Sequence, residues 1–390
     1  MLSQIPDELL TELTLWYLVQ HSLSAFQKIK KHFPILESAF LLKNLETLKQ
    51  LKLHASHIQR FTEFHTVQGQ QQYQRCLADI CQHSDFILSP SQEYYPNQFK
   101  NLVDAPPILF GRGSAENLIQ AQIAIVGSRE PSPHGRQVAY DFAYYLSEKG
   151  FFICSGLAQG IDASAHQGAL QHQKTIAVIG TGLNEVYPSQ HRNLQEQILN
   201  SNGTIISEFL PHTPPLQHHF PRRNRLVSGL SLGVLVAEAT LKSGSLITAK
   251  IAAEQGKTVF AIPGHIYSEY HQGCHQLIRE GAILVDHPEQ IMEDLALATT
   301  WQMQQANTVN QTQTPPPIQK DHHPISDPTP IPEYLNKTYQ ALDWDGKSLD
   351  QLALDTALST SELTSQLMEL ELLGFCVQQA GQYRRCRSGI

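Results

Sequence analysis

The sequence predicts an α/β fold: a doubly wound, mostly parallel sheet, with a small helical region before it and a winged helix after it. Three observations carry this. Between residues 122 and 285 short β-branched apolar runs alternate with amphipathic stretches, and most of the runs end in glycine-bearing loops. The runs are continuously apolar rather than alternating, which marks strands buried on both faces and hence a parallel sheet covered by helices on each side. On either side of this region the pattern becomes purely helical or, at the end, helix, turn, helix and hairpin.

In chain order, residues 1–85 hold short amphipathic helices. "DELLTELTLWYLVQHS", "LSAFQKIKKHF" and "ESAFLLKNLETLKQLKL" space their apolar residues at helical intervals. The α/β region with its lead-in spans 86–298. Its expected strands are "QIAIVG", "FFICS", "TIAVIG", "TIIS", "LGVLVAE", "TVFAIP" and "AILV". Residues 299–332 carry seven prolines between positions 315 and 332, with many Gln, Asn and Thr and little to bury, which predicts a semi-extended linker. Over 333–390, "SLDQLALDTALSTSELTSQLMELELLGFC" and the hairpin "FCVQQAGQYRRC" make a winged-helix pattern.

Composition excludes several classes. A chain of 390 residues calls for two or three cores. Its net charge of −8 means that any polyanion site is local rather than global. The six cysteines show no CxxC pair and no zinc-type spacing, so reduced cytosolic thiols and no metal are expected. No basic leader or membrane-length apolar run is present, which predicts a cytoplasmic protein without a membrane span.

In an open parallel sheet, ligands bind beyond the carboxyl ends of the strands. Six loops should lie there: "GSREPSPHG", "SGLAQGID", "GTGLNEVYP", "EFLPHTPPLQHHFPRRNR", "ATLKSGS" and "PGHIYSEYHQGC". Gly127, Gly156, Gly160, Gly180, Gly182 and Gly244 would allow close backbone approach, and Ser128, Ser155, Ser243, Ser245 and Thr248 offer hydroxyls. Arg129, Arg192, Arg222, Arg223, Arg225, Lys242 and Lys250 add positive charge along the same edge, which predicts a phosphate-binding surface. No complete GxGxxG exists and no acidic ribose partner follows at the needed spacing, so NAD is not expected and no cofactor is assigned. Asp162 is expected as a helix N-cap, and Glu208 and Glu238 as partners of nearby arginines. On a helix Arg222 and Arg225 share a face and Arg223 points elsewhere, so Arg222 and Arg225 are expected to meet the ligand and Arg223 either to pair internally or to hold a neighbouring phosphate. Phe220 is open between stacking on a base and a staple against Leu226 or Val227.

The blocks "IAIVGSREPSPHG", "FFICSGLAQGIDASAHQGAL", "TIAVIGTGLNEVYP", "FPRRNRLVSGLSLGVLVAEATLKSGSLITAKIAAEQGKTVFAIPG" and "GCHQLIREGAILV", with the lead-in "YYPNQFKNLVDAPPILFGRG", resemble the DNA-processing protein A (DprA/Smf) family over residues 94–285. That resemblance implies a Rossmann-like domain that binds single-stranded DNA without strong base preference, loads RecA during natural transformation, and displaces or bypasses single-strand-binding protein. It further implies a homodimer, no catalytic activity, and an N-terminal region similar to a sterile-alpha-motif domain. The nucleic-acid contacts it implies are Gly127, Ser128 and Arg129, then Phe220, Arg222, Arg223, Asn224 and Arg225, then Lys242, Ser243, Gly244 and Ser245. Gly156, Gly182, Arg192 and Lys250 join them from the edge loops. "YPSQHRN" departs from the pattern, with His191 where many members have asparagine. The rival expectation is a nucleotide-hydrolysing phosphoribohydrolase; its "PGGxGTxxE" loop is replaced here by "EATLKSGSLITA". A duplex-binding winged helix is disfavoured by the acidic "LDQLALDTALSTSELTSQLMELE" where a recognition helix should be basic.

Overall fold

The computed structural model describes residues 5–100, 102–296, 332–343, 346–373, 375–379 and 381–385. The expected linker at 299–332, Pro332 apart, lies outside the described residues, as do Cys386 and Arg387. The chain forms two compact units, divided near residue 307.

The first unit is built on a nine-stranded sheet of order β1-β2-β6-β5-β4-β3-β7-β8-β9. The seven strands expected from the sequence are β3 (Gln122–Gly127), β4 (Phe152–Ser155), β5 (Thr175–Val178), β6 (Thr204–Ser207), β7 (Gly233–Glu238), β8 (Thr258–Ala261) and β9 (Ile283–Leu284). They pair in parallel throughout. Two further strands, β1 (Phe86–Leu88) and β2 (Leu109–Gly113), extend the sheet antiparallel beyond β6. Chain order reverses between β3 and β7, so the topological switch point lies between them.

Side-chain alternation sorts the strands onto two faces. Ala124, Val126, Cys154, Ile176, Val178, Ile206, Val234 and Val236 are buried under α10 (His219–Leu230), α11 (Ser245–Glu254) and α12 (Gln272–Arg279). Ile123, Ile125, Ile153, Leu235 and Phe260 are buried under α7 (Pro133–Glu148) and α8 (Ile161–Leu170). Each such aliphatic side chain contributes about 1.5–3 kcal/mol by leaving water. Ser132 starts α7 by accepting the Gly135 amide at 2.9 Å, with Pro133 in the first turn where no amide is needed.

The helical region comprises α1 (Asp7–Leu18), α2 (Leu23–His32), α3 (Leu45–Gln50), α4 (Ala55–Glu63) and α5 (Val67–His83). Its core of Leu9, Leu13, Trp16, Phe26, Ile29, Phe61 and Leu77 is continuous with Phe110, Ile179, Ile198, Ile205 and Leu210 of the sheet unit. The helices therefore sit on the β6 side of the sheet and share its core.

The second unit packs helices at Asn336–Ala341, Leu349–Thr356 and Thr360–Leu372 on a three-stranded sheet in which β12 (Gln382–Arg385) lies between β10 (Lys347–Ser348) and β11 (Cys376–Gln379). Ser348 and Ser359 each close a capping box, with Gln351 and Glu362 respectively. Leu352, Leu363, Leu367, Leu370, Phe375 and Tyr383 fill its core. Helix, turn, helix and hairpin follow the winged-helix pattern.

Candidate nucleic-acid interface

The loops after β3, β4 and β5 and the first turn of α10 enclose a cleft of about 250 Å³ at the carboxyl edge of the sheet, and Arg129, Gly156, Gly180, Tyr187, Phe220 and Arg223 line it. Phe220 is half-buried, with the exposed Arg129 guanidinium 5.5 Å above its ring and the Tyr187 ring 5.3 Å away, tilted by 37°. An aromatic wall with a cation over it suits a nucleobase and the phosphate beside it. Phe220 thus belongs to the cleft rather than to a staple with Leu226 or Val227, both of which are fully buried in the core beneath the sheet.

Arg223 is the floor of this cleft. It is 5% exposed, and its Nε has no hydrogen-bond partner among the described residues. A Cβ on residue 156 would lie 1.5 Å from Arg223 Nη1, so Gly156 is glycine because the guanidinium lies across it. Burial pulls the Arg223 pKa down while Asp162 pulls it up; burial raises the Asp162 pKa and Arg223 lowers it. Asp162 is not the N-cap expected of it. It lies within α8, and its carboxylate accepts the amides of Gly156 at 3.1 Å and Ala158 at 3.2 Å, folding the β4 loop back under the cleft.

The arginine run is used in the reverse of the expected way. Arg222 grips Glu208 with Nε at 3.0 Å and Nη2 at 2.8 Å, and Arg225 reaches the same carboxylate with Nη2 at 2.8 Å. Glu208 is fully buried, and Arg225 also pairs with Asp104 at 2.8 Å. Arg222 and Arg225 do share a face, but that face turns inward to a carboxylate. Phe220 and Arg223, equally three residues apart, share the face that meets the cleft. Arg222 and Arg225, expected to meet the ligand, are thus the internally paired ones, and Arg223 is the arginine of the run that lines the cleft.

The other predicted residues divide. Gly127 and Gly182 are glycine for packing: a Cβ would meet Ile161 Cγ1 at 2.5 Å and the Leu210 carbonyl oxygen at 2.6 Å. Ser128 Oγ accepts the Glu130 amide at 3.1 Å and holds the Arg129 loop. Arg192 is exposed on α9 (Arg192–Asn200) and Asn224 is half-buried on α10; neither lines the cleft. Lys242, Ser243, Gly244, Ser245 and Lys250 lie past β7, across the switch point, and also lie outside it. Glu238 pairs with no arginine among the described residues. It accepts the Ser132 amide at 2.8 Å and the Ser132 hydroxyl, so a carboxylate occupies the α7 N-terminus where doubly wound folds seat a pyrophosphate. His166 bonds Thr175 Oγ1 at 2.6 Å and burial lowers its pKa to about 3; His191 bonds the Leu157 carbonyl at 3.0 Å. No group of three His, Cys, Asp or Glu among the described residues could hold a metal ion, and no described helix is long and apolar enough to cross a membrane.

Residues 86–296 match the family described as DNA recombination-mediator protein A, and 335–382 match the DprA winged helix domain. The chain belongs to the DNA recombination-mediator protein A family. Protein Smf of Escherichia coli (strain K12) is 38% identical over 341 residues, covering 87% of each chain. DNA processing protein DprA of Streptococcus pneumoniae is 46% identical over 201 residues, 51% of this chain and 71% of that one. The X-ray structure of the S. pneumoniae DprA aligns with a TM-score of 0.62 at 34% identity, covering 74% of this chain and 98% of that one. A structure of DNA processing protein A from Helicobacter pylori, described for its unique single-stranded DNA binding mode, aligns with a TM-score of 0.50 at 31% identity over 55% of this chain and 98% of that one.

Sequence reasoning missed Tyr187; it expected Glu208 to pair with nearby arginines, which it does, but not that Arg222 and Arg225 are the two it holds. The aromatic in "NEVYP" and the three-residue spacing of Phe220 and Arg223 were the available signals.

Proposed function

We propose that the chain binds single-stranded DNA in the cleft of Arg129, Phe220 and Arg223, and acts in the cytoplasm as a recombination mediator. It would protect incoming strands during natural transformation and load RecA onto them, working as a homodimer in competition with single-strand-binding protein. The observation that carries this reading is Arg223: a nearly buried guanidinium with an unused donor, on the floor of a cleft walled by Phe220 and Tyr187. Such a group costs free energy while unpaired and gains a charge-assisted partner when a phosphate arrives. The structure of the H. pylori relative concerns single-stranded DNA binding, and the shared family makes the same ligand the natural one here.

In this reading the site holds the strand without transforming it, and nucleoside monophosphates incubated with the protein should release no free base. The deciding experiment is a fluorescence titration with labelled single-stranded and duplex oligonucleotides at several salt concentrations. A single-strand preference is expected, with log affinity falling by about 0.7 per phosphate contact for each unit of log salt. Equal affinity for duplex would overturn the reading. Truncation after residue 332 should leave most of the single-strand affinity in place, since the winged helix exposes Met368, Leu372, Glu362 and Glu371 rather than cations on its second long helix.

A further inference from the structure

The cleft-facing side of α10 is set by contacts that originate far away in the chain. Trp16, fully buried at the end of α1, donates its indole N–H to the Glu208 carbonyl at 3.0 Å. Gln20 and His21 follow with φ of 44° and 65°, two consecutive left-handed residues. This turn directs the His21 carbonyl at Arg222, whose Nη1 donates to it at 2.6 Å. The His21 ring also takes part: Nε2 accepts the Leu210 amide at 2.9 Å, so its proton is on Nδ1. The Arg222 guanidinium lies 5.8 Å from the Trp16 ring and 5.3 Å from that of Phe209. Phe209 in turn stacks on His219 at 4.1 Å, next to Phe220. Arg222 is thus held on three sides, by Glu208, by the His21 carbonyl and by two aromatic rings, and Arg225 closes the same carboxylate from one turn further along.

With those two arginines fixed, the rotation of α10 about its axis is fixed, because residues three apart share a face and each successive residue turns by about 100°. Phe220 and Arg223 then have one direction in which to point, and it is into the cleft. We propose that the turn ending α1, through Trp16 and His21, is a positioning element of the nucleic-acid cleft: it completes the Glu208 clamp that sets α10 and so presents Phe220 and Arg223 to the strand. The helical region then has a role in single-strand affinity without touching DNA. This inference rests on the single-stranded DNA reading of the cleft.

The test uses the full chain with Trp16→Phe, which keeps an aromatic ring and removes the N–H, and Arg223→Gln as reference. Three quantities are measured: affinity for a labelled oligothymidine, its salt slope, and hydrogen exchange of the α10 amides. A positioning residue lowers affinity without removing a phosphate contact. Trp16→Phe should therefore weaken binding by up to about fivefold, the share of one lost hydrogen bond that is coupled to the position of α10, with an unchanged slope and faster α10 exchange. Arg223→Gln should reduce the slope by about 0.7. Wild-type affinity and exchange in Trp16→Phe would overturn the proposal, and so would a slope loss equal to that of Arg223→Gln. Should Trp16→Phe fail to fold, Arg222→Lys keeps the charge, loses the two-pronged grip on Glu208 and is held to the same outcomes. If Arg223→Gln binds as wild type, it is the DNA reading of the cleft that fails. The positioning claim then stands or falls on α10 exchange alone.

Discussion

The two halves of the carboxyl edge of the sheet have similar loops in sequence and opposite constructions in space. On the β3–β4–β5 side the charges are buried and supported: Arg223 lies across Gly156, Asp162 folds the loop beneath it, and Glu208 anchors its neighbours Arg222 and Arg225. On the β7–β8 side Lys242 and Lys250 stand exposed, a Cβ at Gly244 would meet nothing within 4 Å, and the Ser243 and Ser245 hydroxyls pair with each other at 2.7 Å. The first half is preorganised, so a strand binding there meets groups already in place and loses little conformational entropy on the protein side. The second half offers charge without geometry. Its attraction is long-range, weak per contact and screened by salt.

Removing the support under the first half should have the largest effect. Glu208→Gln leaves two arginines around a neutral amide in the interior, and breaking a buried pair in this way costs about 3–5 kcal/mol. Urea unfolding should show a loss of that order, and a loss below about 1 kcal/mol would mean that the buried half is not built on this carboxylate. For the same reason, replacing Arg222 and Arg225 by alanine would test folding before it tested DNA contact. Next comes Arg223→Gln, which keeps a polar side chain and removes the charge. Single-strand affinity should fall about tenfold or more in a gel-shift titration, as expected for losing a charge-assisted bond of about 1.5–3 kcal/mol. An unchanged affinity would break the comparison at its strongest point.

The central sheet was legible because seven runs such as "IAIVG" and "VLVAE" are apolar on nearly every residue, and a strand buried on both faces leaves that mark. β1 and β2 were not, since "FIL" is three residues long and "LFGRG" carries two glycines and an arginine. The chemistry of the edge was legible as a concentration of cations and glycines. Which arginine does what was not. A helical wheel shows which residues share a face, but α10 is enclosed on both sides, and the partner that decides its orientation, Glu208, ends a different strand. Trp16 and His21 lie about two hundred positions upstream, beyond any local pattern. The glycines also have structural reasons that the sequence did not show: at 127 and 182 a side chain would run into protein, and at 156, which lines the cleft, into the Arg223 guanidinium.

Two intermediate effects sharpen the contrast. Phe220→Ala removes the stacking surface and should cost about 1–3 kcal/mol in single-strand binding, with the salt slope unchanged because no phosphate contact is lost. Acid should also act on the buried half. His21 and His166 both have pKa values lowered to about 3, chiefly by burial, from an ordinary value of 6.5. They are neutral in the folded protein, whereas the unfolded chain takes up protons below pH 6.5. Stability from both is complete above that value and is lost progressively as the pH falls toward 3. Urea midpoints measured across this window should decline, and His166→Gln should flatten the decline.

The smallest effect belongs to the exposed half, and its salt dependence is the informative part. Lys242 and Lys250 are exposed and have no ion-pair partner among the described residues, so Lys242→Ala with Lys250→Ala should leave folding intact and reduce single-strand affinity about two- to threefold near 0.1 M salt, the scale of screened surface charges. The slope of log affinity against log salt should become shallower by up to about 1.4, or 0.7 for each lysine that meets a phosphate. The deficit should therefore shrink as salt rises; that of Arg223→Gln shrinks too, by its own slope loss of about 0.7, but starts from about tenfold or more and so stays the larger of the two. A double-lysine loss of about tenfold or more near 0.1 M salt, with the full slope change of about 1.4, would place Lys242 and Lys250 in direct contact with the strand, and the two halves of the edge would then be a single continuous site.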